Sequence, residues 1–412
     1  MNFKKLALAA AAAAAATSAQ AADLPMVAEP VNYVQACDAF GSGYFQLPGQ
    51  STCIRVHGRI RTNIVSHDLN DGLGDVTTAG SAAQEYYVSE EDGLVVAVNK
   101  LEDGTYETVR DNPADVRVVD AEDVVAIPTE DAVEEETNDY SAYARGYLYF
   151  DSMTNTDFAT IKTYMELTAT HNQSGDATVD MGDVFLQLGF NSGSLLIGNT
   201  SSQFDSFTGY TWIAPVSQNL SDSGVLQVSY TADIGNGLSL IASVEDANAR
   251  DGASNRADFV GALAVSQGWG SAKLAAATHA YDDDDYGYAV TGSVTVAAMD
   301  GIEASFQAQY ADQAVSYVGG AGESGFTDAG GVTGYNISGG LSGDLSDKVS
   351  AMLDFSYLSL EQGAADYDRT AVDASVVYSP VEGLAFAVAA GWADDSEDNK
   401  ETKVGARVQY TF

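Results

Sequence analysis

The 412 residues carry 59 Asp and Glu against 18 Lys and Arg, a net charge of −41. So large an acidic excess excludes nucleic acid as a partner, because phosphates need basic neutralisation, and it favours solubility and attraction of cations. Glycine (40) and tyrosine (22) are abundant and proline (7) is scarce; mean hydropathy is near zero, the balance expected when half of each strand meets lipid and half meets water.

The chain opens with Lys4 and Lys5, an apolar run from Leu6 to Ala16, and Ala19-Gln20-Ala21, a small-x-small cleavage pattern. This predicts a signal peptide over 1–21 and export of the mature chain. Nothing later reaches about 18 consecutive apolar residues, so no helical membrane span is expected. Residues 22–52 read as a periplasmic segment. Its Cys37 and the following Cys53 are expected to form one disulfide in an oxidising compartment; a metal pair is the alternative, but two thiols with no nearby His do not complete a tetrahedral site.

From Cys53 onward the dominant pattern is alternation with period two. Val404, Ala406, Val408, Tyr410 and Phe412 alternate with Lys403, Gly405, Arg407, Gln409 and Thr411; Val349 to Tyr357, Ile302 to Tyr310 and Tyr288 to Val296 repeat the scheme. Each such segment has one apolar and one polar face, at a length that crosses a membrane at barrel tilt. Strands are predicted at 53–65, 140–152, 156–170, 179–189, 193–199, 224–232, 237–247, 256–267, 270–281, 285–297, 301–311, 334–343, 347–358, 367–379, 383–394 and 401–412. Short turns such as 153–155, 191–193, 233–236, 299–301, 343–346 and 379–382 alternate with longer connections at 66–139, 171–178, 200–223, 248–255, 312–333 and 395–400. An all-β, sixteen-stranded antiparallel transmembrane barrel over 53–412, with short periplasmic turns and long outer loops, satisfies every backbone group without a lipid-facing edge. At that strand number the interior holds a water-filled channel.

The first strand places Arg55, His57, Arg59, Arg61 and Asn63 on one face and Val56, Gly58, Ile60 and Ile64 on the other. An Arg facing lipid at mid-depth costs roughly 2 to 4 kcal/mol, so the basic row is expected in the lumen. Lys403 and Arg407 on the last strand share its phase, and Arg145 and Lys162 follow on the second and third. These residues are predicted to form one basic wall at a pore constriction. The connection 200–223, with Phe204, Asp205, Phe207, Tyr210, Trp212, Pro215 and Asp222, is the candidate opposing element: folded inward, it would set Asp205 against the arginines and create a transverse field.

The acidic stretch 69–139, with Glu90-Glu91-Asp92 and Glu134-Glu135-Glu136, reads as an extracellular insertion carrying short β-like pieces. It and Asp282-Asp283-Asp284-Asp285 could bind Ca²⁺ through carboxylate oxygens, although solvated charge is the simpler explanation; no other cofactor is implied. His57, His67, His171 and His279 accompany no nucleophile elbow and no zinc spacing, so an enzyme is not expected.

Pro30-Val31-Asn32-Tyr33-Val34, Cys37-Asp38-Ala39-Phe40-Gly41, Gly43-Tyr44-Phe45, Pro48-Gly49 and Cys53-Ile54-Arg55-Val56 resemble the opening of the alphaproteobacterial general porins. Gly235-Asn236-Gly237-Leu238-Ser239 and the aromatic C-terminus are similar too, and a final strand ending in Phe looks like the signal read by the barrel assembly machinery of Gram-negative outer membranes. The resemblance implies a homotrimer in that membrane, in contact with its lipids and lipopolysaccharide, a Cys37–Cys53 disulfide, and a third long loop that narrows a pore for small hydrophilic solutes. The insertion departs from the family pattern. A substrate-specific channel, or a surface adhesin or receptor using the insertion, is the competing expectation.

Overall fold

The structure is a computed structural model, and it describes residues 34–70, 85–88, 95–100, 106–108, 118–119, 124–126, 140–282, 284–299 and 301–412. The predicted signal peptide lies outside the described residues, as do the side chains of 71–139, Asp283 and Asp300.

Sixteen antiparallel strands close on themselves. We label them β1 (Cys53–Ser66), β2 (Tyr140–Asn155), β3 (Thr160–Asn172), β4 (Ala177–Phe190), β5 (Gly193–Ser201), β6 (Gly224–Gly235), β7 (Leu238–Asp246), β8 (Ala257–Gln267), β9 (Gly270–Ala280), β10 (Tyr286–Met299), β11 (Ile302–Asp312), β12 (Thr333–Ser346), β13 (Val349–Gln362), β14 (Ala365–Val381), β15 (Leu384–Asp395) and β16 (Lys400–Thr411). Each pairs with the next, and β16 pairs with β1 in the register Arg407 with Asn63 and Gln409 with Arg61. Closure satisfies the ladder hydrogen bonds of every strand, which an open sheet in lipid could not do.

The alternation sorts side chains as the pattern requires. Val56, Ile60, Ile64, Leu226, Val228, Leu274 and Val388 are exposed on the outer surface. Aromatic pairs ring both ends of it: Phe158 against Phe190 and Tyr410 against Phe412 at the turn end, Tyr288 against Tyr310 and Tyr335 against Tyr357 at the loop end. Such girdles belong at the two membrane–water boundaries.

The seam is sealed by the last residue. Phe412 exchanges both backbone hydrogen bonds with Gly58 at 2.9 Å, and its ring lies where a Cβ on residue 58 would have to go, 3.0 Å away. At the turn end, Asn236 and Gly237 both have positive φ (53° and 74°), as a two-residue hairpin of the right twist demands.

Two expectations need correction. Residues 153–155 are strand rather than turn; the bend falls at 156–159, where the Thr156 hydroxyl accepts from the Ala159 amide (3.0 Å) and fixes the chain reversal. Nor are the outer connections always the longer ones. β3 and β4 extend until only 173–176 remain between them, and β13 and β14 until only 363–364 remain.

Outside the sixteen, Gln35–Ala36 pairs with Phe45–Gln46, which pairs with the start of β1. The Cys37–Cys53 disulfide fastens this segment to the turn end. Between β1 and β2, five short strands form a separate antiparallel sheet in the order Val118–Val119, Tyr106–Thr108, Val95–Lys100, Glu85–Val88, Val124–Ala126.

Candidate functional site: the lumen and its two walls

The connection 202–223 turns into the lumen, and strand carboxylates and amides hold its backbone there. The Gln307 carbonyl accepts from the Phe207 amide (3.0 Å), Asp354 from the amides of Tyr210 (2.8 Å) and Thr211 (2.6 Å), Ser375 from Trp212 (3.2 Å) and Asp373 from Val216 (3.3 Å). Arg369 donates to the Ser217 carbonyl (2.6 Å). Phe204 and Phe207 are buried, and Ile213 packs against Val377, Ala387 and Val65. The loop thus covers the wall from β8 through β15, and its tip reaches the β16–β1 seam.

Its two roots are tied by a buried ion pair. Arg250, from the 247–250 turn after β7, meets Asp205 at 2.6 Å, with side chains 1% and 2% exposed. Asp205 also accepts from the Ser221 hydroxyl and the Ser223 amide, and Lys273 donates to the Asp205 carbonyl at 2.7 Å. Arg250 in turn stacks on Tyr317, whose hydroxyl donates to Asp258 (2.7 Å); His279 sits between Asp258 (2.8 Å) and Asp328 (3.2 Å). The structure therefore does not set Asp205 against the arginine row, as the sequence suggested. Asp205 fastens the two ends of the loop, and the exposed carboxylate of this loop is Asp222. It lines a cavity of about 260 Å³ with Thr208, Thr211 and Asp354.

The uncovered wall is β16 and β1 to β4, where the predicted basic residues stand. They divide by height. Near the turn end, Arg55 is paired with Asp151 (3.1 Å), which His57 also contacts (3.1 Å). Near the loop end, Lys403 is paired with Glu401 (3.0 Å), at the edge of a polar vestibule of about 740 Å³ shared with His67, Tyr367, Arg369 and Asp395. Between these levels, Arg59, Arg61, Arg145 and Arg407 make no ion pair among the described residues, and neither does Lys162, which stands at the turn end, level with Met153 and Cys53. Three are held through Nε by neutral acceptors: Arg61 by Gln409 (3.2 Å), Arg145 by Thr170 (2.7 Å) and Arg407 by Asn63 (2.9 Å). Their direction is fixed while their charge is left unspent.

The same wall carries aromatic side chains that the sequence reading passed over. Tyr143, Tyr147 and Tyr149 share the inward phase of Arg145 and Asp151, a signal present in the alternation of β2. Arg59 lies 4.0 Å from the Tyr147 ring centre, Arg61 5.1 Å from the same ring, Arg145 4.8 Å from Tyr143 and Lys162 5.4 Å from Phe185. Among the described residues, no group of three or more potential metal ligands converges, and Asp284 of the acidic run faces Arg256 at 3.7 Å.

Comparison with known proteins agrees with this architecture. The family model described as "Porin subfamily" matches residues 23–112 and 114–411. Porin Omp2b of Brucella suis biovar 1 is 27% identical over 414 residues, spanning 93% of this chain and 90% of its own; Porin Omp2b of Brucella melitensis biotype 1 is 26% identical over 93% and 90%. Among solved structures, the outer membrane channel DcaP of Acinetobacter baumannii superposes with a TM-score of 0.59 at 16% identity, over 88% of this chain and 98% of its own.

Proposed function

The chain belongs to the Porin subfamily and is a passive channel of the outer membrane; we propose that its selectivity is set where the inward loop faces the unpaired cations of the bare wall. The passage left open by the loop has Arg59, Arg61, Arg145, Arg407 and Lys162 on one side. Thr208, Thr211 and Asp222 stand on the other. Opposed fixed charges order water and small polar solutes and penalise apolar ones, so the channel passes small hydrophilic solutes. Arg55 and Lys403, already neutralised, contribute shape and support rather than field.

The observation that carries this reading is the set of guanidinium groups oriented by neutral acceptors. It makes the constriction anion-preferring inside a chain whose net charge is strongly negative. The test is the reversal potential of bilayer-inserted channels under a salt gradient. A unit charge near the ion path is worth on the order of 1 kcal/mol in water at about 4 Å. Arg59→Ala with Arg61→Ala should therefore lower the anion-to-cation permeability ratio by about fivefold or more. An unchanged ratio would remove the bare wall from selectivity.

We also infer a homotrimer. On the outer face of β2 and β3, Ser152 and Thr163 hydrogen-bond to each other at 2.7 Å, a polar spot better suited to a subunit contact than to lipid. An unheated electrophoretic species at three times the boiled mass is the expected result. The insertion sheet reads as extracellular from its place between β1 and β2, at the loop end, and the N-terminal residues 1–21 as the export signal.

A further inference from the structure

The bare wall offers more than charge. Across its strands the rings run in sequence: His57 to Tyr149 (4.8 Å), Tyr149 to Tyr164 (6.3 Å) and Tyr164 to Phe185 (5.4 Å), with Tyr147 6.2 Å from Tyr149. Cross-strand register makes this band continuous. His57 pairs with Tyr149 between β1 and β2, and Tyr164 pairs with Phe185 between β3 and β4. Tyr147 and Tyr149 are themselves buried, with Arg59 over both rings, so the part of the band that a solute can meet is its β3–β4 end. Tyr164 and Phe185 are half-buried and so keep surface toward the lumen.

The cations are interleaved with these rings. Arg59 lies over Tyr147 and within 5.8 Å of Tyr149, and its buried Nε has no hydrogen-bond partner. Lys162 stands beside Phe185. Glu166, Asp183 and Asp151 are the carboxylates near these rings; Asp151 is paired with Arg55, Asp183 accepts from the Thr200 hydroxyl (3.0 Å), and Glu166 reaches no cation within ion-pair distance among the described residues. A planar guanidinium fork matches a carboxylate in a bidentate way, and aromatic rings gain from a further ring 4.5 to 7 Å away, stacked or edge-on.

From this juxtaposition, and resting on the channel reading above, we propose that β1 to β4 form a low-affinity binding track for small organic anions that bear an aromatic ring. The carboxylate is taken by Arg59 and Arg61, and the ring lies against Tyr164 and Phe185. Such solutes enter the constriction, dwell there and leave, so the channel conducts them with saturation while it passes other small ions without it.

Benzoate is the probe, added to single channels in planar bilayers, with cyclohexanecarboxylate, acetate, benzyl alcohol and glucose as comparisons. Benzoate should interrupt the current saturably. Cyclohexanecarboxylate, equal in charge but without a π face, should bind several-fold more weakly, and acetate and benzyl alcohol should give no resolved events. Phe185→Leu should weaken benzoate by about threefold and Tyr164→Leu with Phe185→Leu by about tenfold, while Tyr164→Phe should hold it within about twofold. If the double variant forms no channels, Phe185→Leu and Tyr164→Phe still read the ring contribution. Equal block by cyclohexanecarboxylate and benzoate would overturn the aromatic assignment, and saturable block by glucose in place of benzoate would make the track a sugar site. Open parent channels with no benzoate events would end this proposal and leave the channel standing. Parent protein that forms no open channels would instead end the reading on which it rests.

Discussion

The two halves of the lumen are built by one rule and end in opposite electrostatic states. On the covered side, β11 to β14 turn Gln307, Asp354, Ser356, Asp373 and Ser375 inward, and the loop 202–223 uses them as acceptors for its backbone. Those carboxylates are spent on holding a loop. On the bare side, β16 and β1 to β3 turn Arg59, Arg61, Arg145, Arg407 and Lys162 inward, and neutral groups hold three of the arginines. The lesson is that whole-chain charge does not predict the charge a solute meets. In a chain of net charge −41, the acids of the covered wall hold a loop while the bare wall keeps cations that no carboxylate pairs among the described residues.

The largest test of this contrast is to remove one cation from each side. Arg250→Met leaves the Asp205 carboxylate buried without its partner, a loss of about 3 to 5 kcal/mol for a pair of this kind. It should lower the urea or heat resistance of the folded barrel, read by the shift between folded and unfolded electrophoretic mobility. Arg250→Met with Asp205→Asn should recover most of that loss, since the stranded charge is gone. Arg59→Gln on the bare wall strands no carboxylate and should cost less than about 1 kcal/mol while changing selectivity. Equal destabilisation by Arg250→Met and Arg59→Gln would erase the distinction between fastening and field.

A smaller effect separates the loop from its anchors. Asp354→Ala deprives the Tyr210 and Thr211 amides of their acceptor, at about 1 to 3 kcal/mol for each group left unsatisfied. Water inside the lumen repairs part of this, so the loop should loosen rather than the barrel unfold. Single-channel recordings should show higher mean conductance and more open-channel noise. The Gln307→Ala channel, losing one acceptor at the Phe207 amide, should change in the same sense and less. A quiet Asp354→Ala channel of parental conductance would mean that the packing of Phe204, Phe207 and Ile213 holds the loop without the carboxylates.

The strands were legible in the sequence because alternation is a property of the backbone: side chains at i and i+2 must share a face, so Arg59 and Arg61 could be assigned inward from Val56 and Ile60 alone. All sixteen segments appear, with ends displaced where a side chain decides the turn, as Thr156 does. The partners of the inward loop were not legible. Asp205 meets Arg250, 45 positions away, only because closure brings the end of β7 beside the loop, and nothing local marks Arg250 between Asp246 and Asp251. The aromatic band was legible in principle. Tyr147 and Tyr149 lie in the polar phase of β2, yet a rule that assigns tyrosine to the lipid side passes over them. Period-two patterning gives the face of a residue; which inward residues meet depends on register across strands far apart in the chain.

Asp222 gives the finest test, because it is the exposed carboxylate on the loop side of the passage. Desolvation, and after it the charge of Asp205, raise its pKa above the ordinary aspartate value, while Arg250 opposes. An acid whose folded pKa is raised binds its proton at higher pH in the folded than in the unfolded chain, so its contribution to stability grows as pH falls through that window, and Asp222 is neutral before a free aspartate would be. Acidification from neutral pH should therefore remove negative charge from the loop face first and shift the reversal potential toward anion preference. The part due to Asp222 is the difference between the parent and Asp222→Asn, which carries no charge there at any pH. That difference should be largest at neutral pH, close as pH falls just above the usual aspartate range, and shrink in high salt, which screens an exposed charge. A difference that stays constant across the whole titration would show that Asp222 does not change charge in this window. An absent difference would leave the cations of the bare wall without a carboxylate facing them from the loop.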